Sequence, residues 1–152
     1  MTLRVCASFD AELPTDAEFT HPEGCYLARL IEQSLKDSSY GDQHFDNWRD
    51  SGWYVSFTAE DVRFWVCFAR YFKGRQWQLF VEPLALPGAL RRLMGWKTPR
   101  YVPALKRITD KVENVLTREP TVSGLRWRLN GDPRRSNISS ASLLDWPASE
   151  FA

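Results

Sequence analysis

The chain has 152 residues, 43% hydrophobic and 26% charged, a globular balance that excludes a disordered chain and suits one domain. At that size roughly 70% of the unfolded surface can be buried, so the core needs neither metal nor disulfide. The formal net charge of +1 hides a split, since residues 1–62 carry 4 basic and 12 acidic groups and residues 63–152 carry 16 and 7. A split of this kind arises from a basic binding face or from halves that pair inside one fold. The second is expected, because a single domain interleaves its halves.

No run of about 18 apolar residues occurs, so no membrane span is expected. The first residues enter a strand-like pattern without the apolar run of a secretory leader. Cys6, Cys25 and Cys67 are odd in number and widely spaced, unlike a disulfide framework. Together these features predict a cytoplasmic domain of bacterial type.

In chain order, Leu3, Val5, Ala7 and Phe9 alternate with polar or small neighbours and predict a half-buried strand. Residues 10–19 are acidic, contain Pro14 and read as a loop. Thr20-His21-Pro22-Glu23 has the spacing of a capping box. Leu27, Leu30, Ile31 and Leu35 then predict an amphipathic helix over 23–36. Residues 38–51 are polar and read as a loop, with at most a short extended piece near Phe45. The strongest signal follows. Trp53, Val55 and Phe57, then Val62, Phe64, Val66 and Phe68, then Trp77, Leu79 and Val81 alternate with their neighbours across two short turns. Three antiparallel strands are expected. Residues 88–95 permit a short helix. Leu105, Ile108, Val112, Val115 and Leu116 predict a helix from Pro103 to about residue 118, and Leu125, Trp127 and Leu129 a last strand.

The expected fold is α+β, a two-layer sandwich in β-α-β-β-β-α-β order, with an antiparallel meander packed by two helices. One domain spans 1–132. Residues 133–152 form a polar tail that either docks on it or extends from it.

Catalytic vocabulary is sparse. His21 and Cys25 stand four apart at the start of the first helix, where free N–H groups favour a thiolate, so a nucleophile is one reading and a buried thiol the other. A metal site needs Cys6, Cys25, His21 and His44 to converge without any supporting spacing. No metal or cofactor is expected. Asp42, His44, Asp46 and Asp50 cluster before the meander, in the pattern of acid–base chemistry or of a solvated loop. Arg91, Arg92, Lys97, Arg100, Lys106 and Arg107 form the densest basic stretch, with Trp96 and Tyr101 inside it. Basic groups interleaved with aromatics can grip phosphates and stack bases.

Trp, Tyr and Arg, the residue types of interface hot spots, are by contrast abundant. Opposite the apolar face of the meander stand Tyr54, Trp65, Tyr71 and Phe80, more ring area than a solvated face needs. Trp48 lies in the adjoining acidic stretch, either anchoring an interface or pinning its own loop. The expected function is therefore a small protein-binding domain, of inhibitor, immunity, adaptor or assembly-subunit type, acting through Trp48, Tyr54, Trp65 and Tyr71. The alternatives are a nucleic-acid binder using the 91–107 stretch, or an enzyme using His44 and Asp46 or Cys25. A homo-oligomer is compatible with each.

Overall fold

The alternating segments assemble into one seven-stranded sheet in a computed structural model that describes residues 4–36, 38, 40–71, 74–84, 102–130 and 138–140. The strands are β1 (Arg4–Asp10), β2 (Gly41–Trp48), β3 (Gly52–Ala59), β4 (Val62–Arg70), β5 (Gln76–Pro83), β6 (Ser123–Asn130) and β7 (Ile138–Ser140). Among the described residues the helices are α1 (Cys25–Lys36) and α2 (Val102–Arg118). The sheet runs β2-β3-β4-β5-β1-β6-β7, and every neighbouring pair is antiparallel. This is the α+β layered architecture the patterning predicts.

The register explains why the fold is specified so firmly. Phe45, Val55, Val66, Val81, Val5 and Leu129 lie side by side across successive strands. A second row joins Trp53, Phe68, Leu79, Ala7 and Trp127. A slip of one residue in any strand would turn its apolar set outward, so the buried face fixes the pairing. Both helices cover this inner face. Leu27, Ala28, Ile31 and Leu35 of α1, and Leu105, Ile108, Val112 and Leu116 of α2, join the sheet residues in one buried cluster. Pro103 occupies the first turn of α2, where its missing N–H costs nothing.

Two expectations need correction. Residues 41–48 are a strand, not a loop: β2 pairs with β3 along most of its length. Only Phe45 carries the apolar signal there, because β2 is an edge strand with solvent on much of its surface. Within the C-terminal segment expected either to dock or to extend, residues 138–140 pair with β6 as a short strand, β7. The capping box is not used. Helix α1 begins at Cys25, its first bond running from the Ala28 N–H to the Gly24 carbonyl at 3.1 Å, and Glu23 instead pairs with Arg70. Gly24 sits at φ 109°, and an added Cβ would lie 3.0 Å from the Trp77 ring, so both backbone and space demand glycine at this entry. The Trp53 indole N–H anchors the same corner through the Pro22 carbonyl at 2.8 Å.

Candidate functional site

The outer face of the sheet carries the residues that alternate away from the core. Among the described residues no helix covers it: every sheet residue in the buried apolar cluster belongs to the inner face. Two strand rows define its centre. One runs Asp46, Tyr54, Cys67, Phe80, Cys6 and Arg128, and the next His44, Ser56, Trp65 and Glu82.

Tyr54 and Trp65 are diagonal neighbours on β3 and β4, with ring centroids 5.9 Å apart and planes inclined at 55°. Both are half-buried. The Trp65 indole N–H donates to Glu82 Oε1 at 2.9 Å, which fixes the ring's orientation. His44 meets the Tyr54 ring edge-on at 6.2 Å, and its Nε2 lies 3.7 Å from Asp46 Oδ2. Arg63 donates to Ser56 Oγ at 2.8 Å. Farther along, the Arg4 guanidinium stands 5.0 Å from the centroid of the Phe80 ring. The face is thus graded: carboxylates on β2, aromatic rings on β3 to β5, guanidinium groups on β1 and β6.

The four residues singled out from the sequence are only partly brought together. Tyr54 and Trp65 are in ring contact. Trp48 shares their face by register, opposite Gly52 at the end of β2, and is half-buried. It leads into a turn in which Arg49 and Asp50 both have positive φ, 51° and 56°. Asn47 and Asp50 brace that turn: the Asn47 side-chain N–H donates to Asp50 Oδ1 at 2.9 Å, and the Asp50 backbone N–H donates to Asn47 Oδ1 at 2.7 Å. Tyr71, 49% exposed, lies just beyond β4. Six residues of extended chain separate it from Trp65, about 20 Å, so it belongs to the rim rather than to the ring pair.

The basic stretch is described only in part. Arg91, Arg92, Lys97 and Arg100 lie outside the described residues. Lys106 pairs with Asp110 one turn on at 2.8 Å, and Arg107 pairs with Glu60 in the turn after β3. With Arg70–Glu23 and Arg75–Glu12, the Arg107–Glu60 pair joins the basic half of the chain to the acidic half.

The groups read as potentially catalytic sit in poor settings for that chemistry. Cys25 is 1% exposed. Burial first, then the nearby Asp16 charge, pushes its thiol up, against the helix-start effect that would activate it. His44 and Asp46 are 59% and 60% exposed on an edge strand, where water screens one from the other. On the outer face, Cys6 and Cys67 are buried thiols. Desolvation raises both, Cys67 to about 12 with help from the Glu82 charge. Among the described residues, no group of three or more His, Cys, Asp or Glu is placed to hold a metal ion, and no helix is long and apolar enough to cross a membrane.

Sequence reasoning missed Arg4, Arg126 and Arg128 as members of this face. The signal was present in the alternation of Arg126 and Arg128 with Leu125, Trp127 and Leu129, which puts both arginines on the side away from the core. Their neighbours across the sheet depend on a pairing between the first and last long strands, and no local pattern encodes that. No protein-family model matches the chain, and no curated protein or solved structure is significantly similar to it.

Proposed function

We propose that this protein is a binding domain for another protein, and that the aromatic half of the outer sheet face is its contact surface. The observation that carries the reading is the Tyr54–Trp65 ring pair: half-buried, 5.9 Å apart and oriented by Glu82. Rings held in one geometry lose little freedom on association and bring large apolar area, which is why Trp and Tyr dominate interface energetics. Charged and polar groups surround the pair, with Asp46 and His44 on one side and Arg63 and Glu82 on the others. An apolar centre inside a polar rim is the anatomy of a protein interface.

The nucleic-acid reading has weaker support, since Lys106 and Arg107 are each matched by a carboxylate. The two readings separate in one experiment. Tagged protein is used to capture partners from extract of the source cell with and without nuclease treatment, with Trp65→Ala and Arg91→Ala variants in parallel. Capture of one protein, reduced at least tenfold by Trp65→Ala and unchanged by Arg91→Ala, is the expected result. Capture that disappears on nuclease treatment, or that ignores Trp65→Ala, overturns the reading.

A further inference from the structure

Away from the ring pair, the outer face dips between β5, β1 and β6 into a cavity of about 280 Å³. Its walls form a grid set by the register. Phe80, Cys6 and Arg128 stand in one row, and Gln78, Ser8 and Arg126 in the next. The lining holds no carboxylate among the described residues.

The two arginines differ from four others among the described residues. Arg29, Arg70, Arg75 and Arg107 each hold an acidic partner. Arg126 and Arg128 are exposed, and neither has a carboxylate partner among the described residues. Two residues apart on one side of a strand, they stand about 7 Å from each other. Two guanidinium groups at the mouth of a concave cup whose described lining holds no carboxylate focus a positive potential into it. The floor adds no negative charge. Cys6 is 5% exposed, and its burial keeps it a neutral thiol.

We propose that this cup binds the phosphoryl group of a small molecule, with Arg126 and Arg128, side by side on β6, taking its oxygens and Ser8 and Gln78 donating to the remainder. A guanidinium offers paired N–H donors in the geometry that phosphate oxygens accept. A phosphate monoester carries about −1.5 to −2 charge at neutral pH and three acceptor oxygens, which matches two guanidinium groups better than the single charge of a carboxylate. The Phe80 ring supplies the apolar wall for whatever the phosphoryl group is attached to. The volume falls just below the roughly 300 Å³ at which small-ligand pockets begin, so the ligand is small.

The site is separate from the ring pair and does not rest on the protein-binding reading. The test is a nuclear magnetic resonance titration of the uniformly ¹⁵N-labelled protein with inorganic phosphate, then with adenosine monophosphate, at ionic strength held constant with chloride. The expected result is saturable shifts at the backbone amides of Ser8, Gln78, Arg126 and Arg128. Arg126→Ala and Arg128→Ala should each weaken binding at least tenfold, and Arg128→Lys less. Tighter binding of the nucleotide than of phosphate would identify an organic monoester as the source, and equal binding the free ion. Shifts that stay linear, that chloride reproduces, or that both alanine variants leave unchanged would overturn the assignment. Both arginines are exposed, so the variants keep the core intact.

Discussion

Asp16 and Arg29 hold the long loop after β1 against the helical layer. The Arg29 guanidinium donates to both oxygens of Asp16, at 2.8 and 3.4 Å, and to Glu18 at 2.8 Å. Asp16 also accepts the backbone N–H groups of Glu18 and Phe19 at 3.0 Å. The guanidinium lies over the rings of Phe19 and Phe45, so one cation joins loop, helix and edge strand. These donors hold the Asp16 carboxyl down at about 2, against an ordinary value of 3.8. A carboxyl lowered by folding stabilises the native state above its unfolded value, and that contribution is lost as pH falls from about 4 toward 2. Asp16→Asn should therefore lower the urea midpoint at pH 6 and leave it close to wild type near pH 2. Equal midpoints at both pH values would refute the clamp. The thiols make a second residue-level prediction. Cys6, Cys25 and Cys67 are free and buried, so a thiol reagent at pH 8 should modify none of them rapidly in the native protein and all three in denaturant.

Gly52 shows how closely the strands approach. A Cβ there would lie 2.1 Å from the Phe68 carbonyl oxygen, a backbone atom that moves only if β3 and β4 separate. Gly52→Ala should cost more than about 2 kcal/mol, at the severe end of point mutations, as read by chemical denaturation. A cost under about 0.5 kcal/mol would contradict the register. The legibility of the fold follows the same packing. β3, β4 and β5 were readable because each buries one whole face, so apolar residues recur at every second position. β2 was not: its sequence, Gly-Asp-Gln-His-Phe-Asp-Asn-Trp, has the polarity of an edge, with Asp42, His44 and Asp46 exposed. Two hairpin turns were legible as breaks, but their geometry was not. Glu60 and Asp61 adopt positive φ, 50° and 63°, the backbone that a two-residue hairpin requires, without the glycine that usually signals it. For the site, Tyr54 and Trp65 were legible as members of one face. Their diagonal contact needed the register, and the cup between β5, β1 and β6 needed the long-range pairing of chain ends.

Across the described residues, the charge split of the sequence is partly absorbed by ion pairs and partly remains as a gradient on the outer face. Ion pairs between the halves, such as Arg70–Glu23 and Arg107–Glu60, neutralise the periphery. Exposed pairs of this kind stabilise little; their effect is on where net charge remains. Among the described residues the outer face is acidic toward β2 and basic toward β6, with rings between. A graded surface of this kind orients an approaching partner and suppresses wrong registers. The helical side differs. Its groove of about 450 Å³ between α1 and α2 is lined by Leu30 and Val115 among mixed polar groups, and it holds no ring pair like that of Tyr54 and Trp65. The most direct test places a photo-crosslinking amino acid at position 54 on the ring face, and separately at position 113 on α2, in the source cell. Binding through the outer face predicts one discrete crosslinked partner from position 54, lost on Trp65→Ala, and none from position 113. A partner crosslinked from position 113 alone, or one from position 54 that Trp65→Ala leaves unchanged, would contradict it.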